Sequence, residues 1–258
     1  CGYDAAGLNM CYFYTEIGND ELEVVVNGIR HMNFAGFAVT KPNKVKVLQY
    51  LDELDPLCEK MGASNTVVKT EDGRLIGYNT DGIGFTTSIV READIKIDEN
   101  TFFCIGAGGA GRAMCCALAY YGAKKIYVLD IVEDSAKSLV DDINTNFAPV
   151  AEFVPYGEYD KISEVTVVMN ASGIGMGSHI GENPMPKELV KADQFYFDAC
   201  YNPLKTQFLM DAEEKGARIL NGLGMSLYQG AKQIEHWSGI EPPIDAMKQK
   251  LLDIIAGK

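Results

Sequence analysis

The sequence has little that would carry it to a membrane, a metal or a nucleic acid. No window approaches the roughly 18 apolar residues of a membrane span, and no signal peptide is visible. Its seven cysteines, at positions 1, 11, 58, 104, 115, 116 and 200, form no CxxC pair and no Cys/His zinc spacing. An odd number of scattered thiols fits a reducing compartment, so a cytoplasmic protein without disulfides is expected. His31, His179 and His236 are not spaced as metal ligands. His31 and His236 sit in helical patterns as surface or packing residues, while His179 lies in a Gly-rich loop. Positive charge is also scarce: 23 Lys+Arg face 36 Asp+Glu, a net charge of −13. That balance argues against nucleic acid or an anionic membrane as the main partner. A small anionic substrate remains open to a few local cations and backbone N–H groups. No repeat or low-complexity tract appears, and the single tryptophan, Trp237, reads as core.

What is present is an ordinary globular composition, 47% hydrophobic and 23% charged over 258 residues, enough for one large domain or two medium ones. Strands and helices alternate throughout. "LNMCYFYTEI" is strand-like, "DELEVVVNGIRHMN" helical, "AGFAVT" a short strand, and "NKVKVLQYLDEL" a helix opened by Pro42. "NTVVKTEDGRLIGYN" carries a hairpin signal at Asp72-Gly73, and "DGIGFTTSIVREA" returns to helix. From Thr101 a tighter rhythm begins, with apolar strands such as "TFFCI", "KIYVLD", "VTVVMNAS" and "QFYFDACY". Strands without polar alternation are what a parallel sheet covered on both faces requires. The expected fold is therefore α/β with two domains. Residues 1–93 and 222–258 form an α/β substrate domain, and 94–221 a Rossmann-like, doubly wound dinucleotide-binding domain. The closing helical patterns, "GMSLYQGAKQIEHWSG" and "PPIDAMKQKLLDIIAG", pack back on the first block.

Gly106, Gly108 and Gly111 match G-x-G-x-x-G with a strand before and a helix after. In that context the glycines allow a tight turn and close backbone approach to a pyrophosphate at a helix start. The same run can equally serve packing alone. Asp130 ends the next strand near the roughly 20-residue spacing of a ribose-binding carboxylate. A carboxylate there repels a 2'-phosphate, and no cation follows until Lys137, so NAD is favoured over NADP. Asp130 as a helix cap or a solvated loop acid is the plainer alternative.

In the first block "VTKPNK", "GASNT" and "YNTDGIGF" are too polar and too rich in turn residues to be core. They place Thr40, Lys44, Asn65 and Asp81 near strand ends. A Lys beside an Asp at a cleft is a workable proton-transfer pair, although most such pairs are ordinary ion pairs.

Together with "IGAGGAGRA", "DACYNPLKTQFL" and "NGLGMSLYQGA", these stretches resemble, in the same order, the shikimate dehydrogenase family, including its quinate/shikimate branch. The resemblance implies interconversion of shikimate and 3-dehydroshikimate, or of quinate and 3-dehydroquinate, with a nicotinamide cofactor bound between two α/β domains. It implies Lys44 and Asp81 as the catalytic dyad and Thr40, Asn65, Tyr201 and Gln229 as substrate-binding residues. It further implies a pyrophosphate loop of Gly106, Ala107, Gly108, Gly109 and Ala110, with Ala199 and Gly222 on the nicotinamide side. No metal is needed, and a monomer or homodimer is expected. Tyr201 and Gln229 have a plainer reading as surface residues of a strand or helix, and "NASGIGM" receives no chemistry.

Two departures from the family pattern stand out. Its Ser-x-Ser-Pro segment, whose hydroxyls hold the substrate carboxylate, is not found before Lys44. Either the carboxylate clamp is lost or the sequence begins inside the natural chain with the first strand outside it, and the second is expected because residue 1 is Cys rather than Met. Where NADP-using members read Asn-Arg-Thr or Asn-Arg-Ser, this chain reads Asp130-Ile131-Val132. The rival readings are a catalytically impaired cofactor-binding sensor or regulator, and another two-domain dehydrogenase acting on a folate or an amino acid.

Overall fold

The computed structural model describes residues 2–18 and 20–257; Cys1, Asn19 and Lys258 lie outside the described residues. The chain divides into two units, Cys1–Ile83 with Leu227–Lys258, and Gly84–Ser226.

The first unit begins with a single helical turn, α1 (Gly2–Ala5), and α2 (Leu22–His31). Leu22 and Val26 lie one turn apart on α2 and are both buried, so one stripe of the helix faces the core. Strands β1 (Gly36–Ala38) and β2 (Glu53–Leu54) follow, then α3 (Pro56–Met61), β3 (Thr66–Lys69) and β4 (Leu75–Tyr78). The sheet order is β1-β3-β4-β2, antiparallel except where β2 runs parallel to β4. The β3–β4 hairpin turns at Gly73, whose φ of 85° a side chain would resist. Leu22, Val26, Val39, Val47, Val67 and Leu75 form the core beneath it. Each such side chain contributes about 1.5–3 kcal/mol by leaving water. Helix α4 (Thr80–Ala93) leaves the sheet directly after β4.

The second unit holds β5 (Thr101–Ile105), α5 (Gly109–Tyr120), β6 (Lys125–Leu129), α6 (Glu133–Asn146) and β7 (Ala151–Phe153). It continues through β8 (Val167–Asn170), β9 (Phe195–Asp198), α7 (Gln207–Glu214) and β10 (Arg218–Asn221). All neighbouring strands are parallel, in the order β10-β9-β8-β5-β6-β7. The chain starts in the middle of this sheet, builds outward to β7, then returns to β8 and builds the other way. That reversal beside β5 is the switch point of a doubly wound sheet, where the carboxyl ends of strands leave a ligand crevice. β8 and β9 are buried at every position, which explains their lack of polar alternation. Phe103, Leu129, Tyr196 and Phe208 anchor one core cluster of this unit. Helix α5 is buried from Ala113 to Ala119, and its small alanines and cysteines let it lie close to the strands.

Two further helices close the chain, α8 (Leu223–Ser238) and α9 (Ile244–Ile255). On α8 the Trp237 indole N–H donates to Val67 O at 2.9 Å and Gln233 Nε2 to Thr66 Oγ1 at 2.9 Å. These bonds fasten the closing segment to β3.

Several elements differ from the sequence reading. Residues 8–17 form no strand, because a strand needs a ladder and none pairs with this segment among the described residues. Tyr12 stacks on Trp237 instead, and Phe13 leans on Phe34, each with ring centroids 5.9 Å apart. The expected helix over 43–54 is a 3₁₀ turn at Lys46–Tyr50 followed by β2, since Asp52 N–H and Asp55 N–H donate to Leu75 O and Gly77 O of the neighbouring strand. Helix α3 was legible but unread: Asp55 caps it through Leu57 N–H at 3.0 Å, Pro56 opens it, and Gly62 closes it at φ 66°.

A Cβ at Gly36 would overlap Val67 O and the Trp237 indole, both already joined by a hydrogen bond. Gly36→Ala should therefore lower stability by about 1–3 kcal/mol in urea unfolding, the range for overpacking a filled core.

Candidate active site

In the first unit the polar stretches of the sequence meet around Asn65. Lys44 follows a tight turn in which Asn43 N–H donates to Thr40 O at 2.9 Å, across a cis Lys41–Pro42 bond. Its own carbonyl accepts Ser64 N–H at 2.8 Å, so "VTKPNK" and "GASNT" are tied together. Asn79 Oδ1 accepts Gly82 N–H at 3.5 Å and Asn65 Oδ1 accepts Thr80 N–H at 2.7 Å, both at the start of α4. Asp81 thus sits in the first turn of a helix, where free N–H groups favour a negative charge. Lys44 Nζ lies 2.6 Å from Asp81 Oδ2, and Asn65 Nδ2 donates to Asp81 Oδ1 at 2.9 Å. The side chains of Lys44 and Asp81 retain 29% and 21% exposure, so the pair is partly desolvated yet reachable.

Behind this pair stands a buried layer that sequence reasoning missed. Thr66 Oγ1 donates to Asn65 Oδ1 at 2.9 Å and lies 3.1 Å from Thr80 Oγ1. Gln233 Nε2 completes the chain by donating to Thr66. The available signal was Gln233's place one helical turn after Gln229. Gln229 and Thr40 lie in the same unit, Gln229 half-buried and Thr40 exposed. Among the described residues neither side chain makes a hydrogen bond, which leaves both polar groups for a ligand. Asn43 Oδ1, next to Lys44, is buried without a partner.

In the second unit the glycines of the loop after β5 divide by cause. Gly106 has φ 109°, and a Cβ there would lie 2.6 Å from the Ala171 and Ser172 backbone. A Cβ on Gly111 would overlap Gly106 O. Gly108 differs: its φ of −69° suits any residue, and no protein atom stands within 4 Å of its Cβ position. No side chain caps α5. A glycine that packing does not require, beside an uncapped helix start of Gly109 and Ala110, fits a loop shaped for a phosphate group. At the other end, Gly222 N–H donates to Cys200 O at 3.1 Å, and a Cβ on Gly222 would overlap Ala199 O. Tyr201 is half-buried beyond β9, before a cis Asn202–Pro203 bond.

A family model for the shikimate dehydrogenase substrate binding domain matches residues 2–67, and one for the shikimate 5'-dehydrogenase C-terminal domain matches 222–252. The shikimate dehydrogenase (NADP(+)) of Bacillus mycoides is 39% identical over 97% of this chain and 90% of its own length. The chain belongs to the shikimate dehydrogenase family. A crystal structure of shikimate 5-dehydrogenase from Listeria monocytogenes, in complex with shikimate and NAD, superposes with a TM-score of 0.92 at 37% identity. It covers 97% of this chain and 89% of that one. Quinate dehydrogenase from Corynebacterium glutamicum, in complex with NAD, gives 0.90 at 28% identity, covering 98% and 91%. The α/β architecture with a parallel sheet agrees with these relatives.

The expected preference for NAD over NADP is corrected. Curated members of the family related to this chain carry NADP(+) in their names. The preference rested on the Asp130 carboxylate and on the lack of a cation before Lys137, and the carboxylate is engaged. Asp130 Oδ2 accepts Ala107 N–H at 2.6 Å and Oδ1 accepts Val132 N–H at 2.8 Å. Asp130 braces the glycine loop against the turn after β6, so its presence needs no ribose. Among the described residues no group of three or more His, Cys, Asp or Glu is placed to hold a metal, and no helix is long and apolar enough to cross a membrane.

His236 lies against Tyr78, the residue before "NTDG", with ring centroids 4.1 Å apart. Its Nε2 is buried without a partner, and burial, aided by Lys232, holds its pKa below 6.5. The unfolded chain takes up this proton first as pH falls, so the stability is present above about 6.5 and is lost as pH drops through the folded value. Urea midpoints should fall between about pH 7 and pH 5, and His236→Gln should flatten that slope.

Proposed function

We propose that this chain interconverts shikimate and 3-dehydroshikimate with a nicotinamide dinucleotide, NADP by the names of its relatives, and that Lys44 and Asp81 are its proton-transfer pair. The observation that carries this reading is the 2.6 Å contact between Lys44 Nζ and Asp81 Oδ2, with Asn65 holding the other carboxylate oxygen. In this reading residues 1–93 and 222–258 bind substrate and 94–221 bind the dinucleotide.

A bound nicotinamide would supply the hydride acceptor for oxidation of the carbon bearing the reacting hydroxyl, and the hydride donor for the reverse reduction. Lys44 as the neutral amine takes the hydroxyl proton in oxidation, and the ammonium so formed gives it back to the carbonyl oxygen in reduction. Asp81 holds Lys44 Nζ in place, and Asn65 keeps Oδ2 turned toward it. Thr40, Gln229 and Tyr201 supply neutral hydrogen-bonding groups, which suit a polyhydroxylated ring whose hydroxyls each need a partner, whereas Asn65 is buried with both amide N–H groups engaged by Thr80 and Asp81 and serves to hold the pair. Gly106, Ala107, Gly108, Gly109 and Ala110 would hold the pyrophosphate at the start of α5, and Ala199 and Gly222 would bound the nicotinamide. A fixed pair contributes mainly through orientation.

The direct test mixes purified protein with NADP and shikimate, then quinate, and follows the reduced-nicotinamide absorbance. A flat trace with both acids, and with NAD as alternative cofactor, would overturn the activity. Lys44→Ala should lower kcat by about a hundred- to ten-thousandfold, the worth of a positioned acid–base group, with cofactor affinity unchanged. Gln229→Ala should act mainly on the KM for shikimate, because one hydroxyl loses a partner worth about 0.5–1.5 kcal/mol.

A further inference from the structure

At the carboxyl edge of the six-stranded sheet Asn170 ends β8, Asp198 ends β9, and the two are register partners. Both are fully buried, and Asn170 Nδ2 donates to Asp198 Oδ1 at 3.0 Å. Cys200 N–H at 2.9 Å and Thr206 Oγ1 at 2.5 Å donate to the same carboxylate. These donors are neutral, and burial holds the Asp198 pKa above the ordinary carboxylate value. A buried carboxylate without a cation is costly, so its place calls for a reason beyond packing.

The reason lies in what these bonds join. On one side Asn170 organises the loop after β8: Oδ1 accepts Ser172 N–H at 3.1 Å and Ser172 Oγ at 2.7 Å, and Nδ2 donates to Ile174 O at 2.9 Å. That loop carries the Ala171 and Ser172 backbone on which Gly106 rests, with no space for a Cβ between them. On the other side Asp198 fixes the Cys200 N–H, and Cys200 O receives Gly222 N–H, where Gly222 abuts Ala199 O. Thr206 accepts Leu209 N–H at the start of α7, and its methyl and Cβ lie 3.0 Å from where a Gly175 Cβ would be. The glycine loop, the loop after β8, the segment after β9 and the start of α7 are therefore linked through one carboxamide and one carboxylate. A carboxylate accepts all three bonds at once, which no single hydroxyl or amide oxygen does as readily.

We propose that the Asn170–Asp198 pair is a positioning device that sets the spacing between the pyrophosphate loop at Gly106 and the nicotinamide side at Ala199 and Gly222. This inference rests on the dehydrogenase reading above. Neither residue is assigned contact with cofactor or substrate; both act through the backbone they hold.

The test uses the full chain with Asp198→Ala, Asn170→Ala and Asp198→Asn, each checked for folding by its thermal midpoint. Two ligands are titrated: NADPH, and 2'-phospho-ADP-ribose, which lacks the nicotinamide ring. The alanine variants should bind the fragment as wild type does, bind NADPH about tenfold more weakly, and lose up to about a hundredfold in kcat. Asp198→Asn keeps an oxygen for Cys200 N–H and should recover most of the NADPH affinity. Equal weakening of both ligands, or no change in either, would overturn the positioning role and leave the dehydrogenase reading standing. Wild-type protein that binds neither ligand would overturn both. If Asp198→Ala does not fold, Asn170→Ser carries the same expectation, since its short hydroxyl cannot reach across to Asp198.

Discussion

The bond from Thr80 N–H to Asn65 Oδ1 is the constraint on which the first unit depends. It ties the start of α4 to the residue just before β3, and so decides where Asp81 projects. With Asn65 Oδ1 committed to Thr80 and Thr66, its amide nitrogen is turned toward Asp81. The Asp81 oxygen left over meets Lys44. The proposed proton-transfer pair is therefore held by neutral donors in a buried layer, and Gln233 closes that layer from α8. Such a layer resists rotamer changes because every polar atom that moves would leave a buried partner unsatisfied.

The second unit is governed by backbone approach rather than by side-chain pairing. Gly106, Gly111 and Gly222 each occupy a place where a Cβ would meet another main chain. The loops at the carboxyl edge of the sheet consequently lie backbone on backbone, with little slack to take up a shift. Beneath them Asn170 and Asp198 supply hydrogen bonds where a purely apolar core would leave N–H groups unpaired. Gly108 stands apart because open space surrounds its Cβ position, and the chemistry of an uncapped helix start accounts for it better than packing does.

Much of this was legible before any coordinates. Apolar strands from Thr101 onward required a covered parallel sheet, and Asp72-Gly73 between β-rich runs required a hairpin. Lys44, Asn65 and Asp81 stood out because polar turn residues at strand ends have no core to fill. The failures have equally specific causes. "LNMCYFYTEI" has strand composition, yet a strand exists only where another offers a ladder. "NKVKVLQYLDEL" has helical spacing, yet β4 draws Asp52 and Asp55 into its own hydrogen bonding. Thr66 and Gln233 looked like an ordinary strand threonine and an ordinary helix glutamine. Their meaning arises from a bond across more than a hundred residues of chain.

The sequence by itself determined the alternation of elements, the glycine loop and the residue types of the candidate site, because these follow from local periodicity, turn chemistry and spacing. Tertiary structure decided what each polar atom faces. Asp130 shows the difference: its spacing suggested a ribose ligand and a preference for NAD, whereas its oxygens accept Ala107 and Val132 N–H groups. A carboxylate's role depends on the donors that reach it first, and in a folded chain those are fixed by neighbours that spacing alone does not reveal.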